Sequence, residues 1–260
     1  MPNKKTAAQR QPYVDAMKGF GILCVVIGHF IEYHRGTAPG INALFTCIYL
    51  FHMAIFCTAS GLVAKFSLRK LVTQQLWLYL ISQAGITAFR AAALKDNIVD
   101  QGGWLQNVLL PWRHMWYLYA LIFWHLTLPL LCLLRDRLGL AGSCLGMALA
   151  VAVGLAGGLI DWPFMLVRVF AFFPFYAFGV LFRPQLDTLA ASAAQTRAAR
   201  LLPAAGLAVG YSLYFIRVFC SETILDNSAE LFHDVSYAGG DRPEYLSLIH
   251  ISEPTRLALI

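Results

Sequence analysis

The amino-acid sequence predicts an all-α fold, a polytopic transmembrane helix bundle, and three observations carry that prediction. Hydrophobic residues are 58% of the 260-residue chain and charged residues only 13%, where a soluble domain has roughly 45–50% and about 25%. Apolar stretches of about 20 residues recur along the whole length, enough to cross a hydrocarbon core of about 30 Å at about 1.5 Å of rise per residue. Short polar breaks separate these stretches and hold most of the lysine and arginine.

Seven spans follow in order, at residues 17–31, 43–64, 71–89, 115–134, 138–160, 164–182 and 201–219. Residues 1–16 form a polar cytoplasmic segment, and no small-residue cleavage site follows the first apolar run, so no cleavable leader is expected. Pro39, Pro111, Pro163 and Pro184 fall between spans or near their ends. Pro129 and Pro174 fall inside spans, where neighbouring helices tolerate a kink. Residues 17–219 are therefore read as one transmembrane domain and 220–245 as an extracytoplasmic segment, with no soluble domain and no internal repeat. Residues 246–260 stand apart, because LSLIHISEPTR, from Leu246 to Arg256, resembles a translated transposase adapter from sequencing libraries. The natural sequence is expected to end near Tyr245, with further helices of the intact protein missing, and His250 enters no site assignment.

A net charge of +6 would suit nucleic acid, but the basic residues lie in short loops where they orient helices, so nucleic acid is excluded as a partner. Counted on alternate loops, twelve lysines and arginines fall on one side and five, Arg35, Arg90, Lys95, Arg113 and Arg217, on the other. The positive-inside rule then predicts a multi-pass protein of the plasma (inner) membrane with a cytoplasmic N-terminus. Cys24, Cys47, Cys57, Cys132, Cys144 and Cys220 sit in or beside apolar segments without metal or disulfide spacing, and read as packing residues. No metal and no resident cofactor is expected.

An ionisable group inside a span costs about 2.5–3.5 kcal/mol, so each one needs a reason. In the first span Asp15, Lys18, Ile22 and His29 share a sector of about 60° at 100° per residue. Gly21 and Gly28 form a smooth strip beside it, on which another helix could approach closely. An imidazole accepts a proton near neutral pH, which makes His29 the first choice for a base that activates a hydroxyl. The alternative is a histidine that only hydrogen-bonds at the outer interface. In the second span Tyr49, His52, Phe56 and Ser60 share a face. His52 is a catalytic orienter or a packed neutral histidine with equal support, and His125 reads as structural. Arg168, near the outer end of the sixth span, either snorkels outward or offers a planar donor fork to a phosphate, carboxylate or developing oxyanion. With the N-terminus inside, Asp15 and Lys18 mark the inner edge, His52 the middle, and His29 and Arg168 the outer leaflet. A negatively charged donor would enter past Lys18 while an acceptor waits near His29.

Four sequence blocks then resemble the acyltransferase 3 superfamily of membrane acyltransferases, especially its fucose 4-O-acetylase-like branch. They are D-x-x-K-G-F-G-I-x-x-V-x-x-G-H at 15–29, F-H-M-x-x-F-x-x-x-S-G at 51–61, W-Y-L-x-x-L at 116–121 and, more weakly, R-x-x-x-F-F-P-F-Y-x-x-G at 168–179. Ala54 stands where that family usually has proline, and residues 57–59 replace a more aromatic run. The resemblance implies about ten spans in the intact protein, an essential histidine at His29, a second signature histidine at His52, acyl-CoA as donor and a sugar or envelope glycan as acceptor. The expected function is O-acylation, with acetyl the expected group. Asp15, His29 and His52 form the expected catalytic set, and Lys18, Ser60, Trp116 and Arg168 the substrate-binding set. The competing class is a secondary transporter using His and Arg as proton relay and anchor; it predicts inverted repeats, which the sequence lacks.

Overall fold

A computed structural model describes residues 12–34, 38–99, 102–112, 115–159 and 166–195, together with residue 212. Within them every regular element is helical. Helix α1 (Pro12–Glu32) is followed by α2 (Pro39–Val63), the single turn α3 (Leu68–Lys70), a π-helical turn (Leu71–Leu76), α4 (Trp77–Ala92), the short α5 (Gly103–Leu109), α6 (Trp116–Gly158), α7 (Leu166–Leu181) and α8 (Arg183–Gln195). Three of these are long and apolar enough to cross a membrane, and α7 with the start of α8, bent by 64°, makes a fourth candidate.

Small residues decide how the helices meet. The buried face of α1 is Val14, Gly21, Cys24 and Gly28, a near-heptad seam, while Phe20, Leu23, Val26 and Phe30 point outward with half or more of their surface exposed. Along that seam α2 runs antiparallel. Val14 clusters with Ala59 and Leu62, and a Cβ on Gly21 would come within 2.7 Å of the Phe56 ring and one on Gly28 within 2.9 Å of the Tyr49 ring. The smooth strip expected from the sequence is therefore the packing seam. The neighbouring polar sector is not buried with it: Asp15 is exposed and Ile22 is 56% exposed.

Helix α7 lies between α2 and α6. Gly61 and Gly179 mark its crossing with α2, where a Cβ on Gly61 would overlap the Tyr176 carbonyl and one on Gly179 the Thr58 carbonyl. Only glycine permits that approach of two backbones. On the other side Trp124 donates from its indole to the Val169 carbonyl at 2.8 Å and stacks on Tyr176. These residues, with Trp116, Leu128, Phe172 and Leu181, form the main core.

The α6 stretch is 43 residues long, enough for two membrane crossings rather than one. It is interrupted at Gly139, with φ 58° and ψ −134°, a conformation open to glycine but not to L side chains. The chain reverses there. Trp116 and Trp124 meet Phe172 and Tyr176 in the same direction as α7, whereas Gly146, Gly154 and Gly157 meet Leu181, Pro174 and Phe170 in the opposite one. The expected break between the fourth and fifth spans is thus a glycine hinge.

The third expected span becomes a continuous helical rod from Leu68 to Ala92 with a π turn near its start. Ser67 caps it by accepting from the Lys70 N–H. The ring of His125 accepts from the Ser67 N–H at 3.1 Å and stacks on Phe66, so His125 fastens the α2–α3 connection. Helix α8 folds back under the bundle, where Asp187 accepts from the Tyr13 hydroxyl of α1. The seventh expected span and the tail from 220 onward lie outside the described residues.

Candidate active site

At the bundle end where α1 finishes and α6 and α7 begin, three helices, α1, α2 and α7, bring polar side chains together beside Trp116 of α6. His29 and Glu32 come from the last turn of α1. The Glu32 carboxylate accepts from His29 Nδ1 at 3.1 Å. Tyr49 of α2 reaches the same nitrogen, its Oη 2.8 Å from Nδ1 and 3.4 Å from Glu32 Oε2. Gly28 is what lets Tyr49 arrive there, since the ring crosses α1 where a side chain would stand. Phe45 stacks on Tyr49 from one side at 3.9 Å, and His52 meets it edge-on at 4.8 Å.

His52 is buried, 3% exposed. Its Nδ1 donates to the Ile48 carbonyl at 2.8 Å, which fixes the tautomer and puts the ring's acceptor at Nε2. Arg168, two residues into α7, completes the cluster. Glu32 and Tyr49 lie within its electrostatic range, and His29 and Arg168 within that of His52. Its guanidinium carbon sits 5.5 Å from the Trp116 ring, within cation–π reach, and Trp116 rests in turn on Phe172. The histidines, the arginine and the tryptophan singled out from sequence thus share one end of the bundle.

Ser60 lies about two turns deeper than His52 along α2 and hydrogen-bonds the Tyr117 hydroxyl, tying α2 to α6. Asp15 and Lys18 are at the opposite end of α1, about 21 Å and 16 Å along the helix from His29. The structure does not bring them to the cluster. Glu32 and Tyr49 were not singled out as site residues. Their signal was their spacing: Glu32 follows His29 by three, and Tyr49 precedes His52 by three, so each pair shares a helix face.

A second polar cluster joins α4 to the segment that leads into Trp116. Arg90, 2% exposed, donates to Asp96 at 3.0 Å and to the Asn107 side chain at 2.9 Å, and lies 3.4 Å over the Trp112 ring. Gln83 donates to the carbonyls of Asn107 and Leu110, and Tyr79 to that of Leu109. Among the described residues no group of His, Cys, Asp and Glu side chains is arranged to hold a metal.

Residues 11–239 match the family model for an acyltransferase domain, acyltransferase 3. Searches of curated proteins and of solved structures each gave no match.

Proposed function

Because the chain belongs to the acyltransferase 3 family and its apolar helices make it an integral membrane protein, we propose that it is an O-acyltransferase moving an acyl group, acetyl in the first instance, from acyl-CoA to a hydroxyl of a sugar or envelope glycan. The observation that carries this reading is the convergence of His29, Glu32, Tyr49, His52 and Arg168, drawn from three helices onto one end of an apolar bundle. Each such group carries an insertion cost in lipid, and grouping them in one place has a ready explanation in chemistry.

In the proposed step His29 Nε2 takes the acceptor's O–H proton as that oxygen attacks the thioester carbonyl carbon. The carbonyl electron pair moves to its oxygen, which the Arg168 fork would stabilise. When the carbonyl re-forms, the C–S bond breaks and the departing thiolate takes the proton from His29. The products are the ester and free CoA. His52, tied to Ile48, supports the Tyr49 ring against this centre, and Trp116 supplies the surface on which Arg168 rests.

We further propose that the N-terminus is cytoplasmic in the plasma membrane and the cluster faces outward. Lys65, Arg69, Lys70, Arg135, Arg137 and Arg183 lie toward the end away from His29, and Arg90 and Lys95 toward its own end, the bias expected of an inner and an outer side. Acyl-CoA would then approach from the α1 start, past Lys18. The test is to supply membranes containing the protein with acetyl-labelled acetyl-CoA and envelope glycan. Label esterified to glycan supports the reading. Labelled solute accumulating in vesicles, with no ester formed, would assign a transporter instead.

A further inference from the structure

We infer that Glu32 and Tyr49 are positioning residues for His29: the carboxylate holds the Nδ1–H tautomer, leaves the basic lone pair on Nε2 and offsets the imidazolium charge as the proton arrives. The inference rests on His29 being the base. It is carried by a closed triangle of contacts, Nδ1 to Glu32 Oε2 at 3.1 Å, Nδ1 to Tyr49 Oη at 2.8 Å and Tyr49 Oη to Glu32 Oε2 at 3.4 Å.

An ionised carboxylate only accepts hydrogen bonds. With Glu32 at one corner, the donors at the other two must be the His29 Nδ1–H and the Tyr49 O–H, and this selects between the two imidazole tautomers. Were Tyr49 acting alone, its hydroxyl could as well donate to Nδ1 and put the ring proton on Nε2, where it would block the base. Glu32 also stands against its local electrostatics. It is the last residue of α1, where the helix dipole disfavours a negative charge, and the salt-bridge geometry with His29, three residues earlier, gives it a partner there. Tyr49 in turn is held in place between Phe45 and His52. A route therefore runs from the buried His52 through the Tyr49 ring to the triangle.

The test compares Glu32→Gln, Tyr49→Phe and His29→Ala in the full chain in membranes, with folded protein in each sample measured by detergent-resistant thermal melting. Both isosteric variants keep the packing. Glu32→Gln is expected to lower kcat by about 10- to 100-fold, less than the 10²- to 10⁴-fold expected for loss of a base, with KM for donor and acceptor unchanged. Tyr49→Phe should lower it by a smaller factor. Adding Glu32→Gln to His29→Ala should cause no further loss, because groups acting as one unit are not additive. An unchanged kcat in Glu32→Gln, a rise in KM alone, or a full additional loss in the double variant would each overturn the inference while leaving His29 as base. Full activity in His29→Ala would overturn the base assignment itself.

Discussion

Two polar clusters among the described residues are built in opposite ways. The Arg90 cluster takes its partners from one stretch of chain between Gln83 and Trp112. Its central cation is 2% exposed and its carboxylate 11%. The His29 cluster takes its groups from α1, α2 and α7, and its facing pair is 34% and 36% exposed. The first closes a local loop onto its own helix and puts its donors onto fixed acceptors. The second holds a titratable pair that is partly exposed. Burial with partners from one stretch of chain suits a staple; partial exposure with contacts across helices suits the chemistry proposed for it.

The comparison can be broken most severely at His29. His29→Ala should lower acyl transfer by about 10²- to 10⁴-fold while the melting temperature in detergent stays near that of the parent. Arg90→Leu should do the reverse. It takes the buried guanidinium away from Asp96, Asn107 and the Trp112 ring, and breaking such a buried pair costs up to about 3–5 kcal/mol, so thermal melting should drop sharply while whatever protein remains folded keeps its turnover. Gly61→Ala tests the frame beneath both clusters, because the added methyl meets the Tyr176 backbone and α2 and α7 must separate; about 1–3 kcal/mol of stability should be lost, read as a lower melting temperature. Arg168→Lys sharpens the contrast at the smallest scale. A point charge keeps the cation but not the planar fork, and kcat should fall by about tenfold, roughly 1.4 kcal/mol; unchanged kinetics would mean that Arg168 only snorkels.

The sequence showed the helices more clearly than the contacts between them. Apolar runs of membrane length marked α1, α2 and α7, and the charged Arg135–Arg137 stretch marked the fold-back of α6, although the hinge itself falls at Gly139. The short α5 and the polar α8 escaped, since neither has an apolar run to announce it. Gly21 and Gly28 were legible as a strip for close approach because a seven-residue spacing returns to the same helix face. Glu32 is not, for a simple reason: the apolar run of the first span ends at Ile31, and a carboxylate beyond a span looks like loop. Arg90 was hidden in the same way. As one of the basic residues near a span end it counted toward orientation, and nothing local foretold that residues 96, 107 and 112 would fold back around it. Asp15 and Lys18 show the converse limit. A shared helical sector places residues on one face but says nothing of depth, and the two lie a membrane half-thickness or more from His29.

The most direct measurement is therefore labelled acyl transfer per folded molecule, taken side by side for His29→Ala and Arg90→Leu in membranes. The separation of chemistry from stapling predicts His29→Ala folded and inactive, and Arg90→Leu depleted in folded protein but active in the fraction that remains. Full turnover in folded His29→Ala, with turnover lost in folded Arg90→Leu, would contradict it and move the reaction to the other cluster.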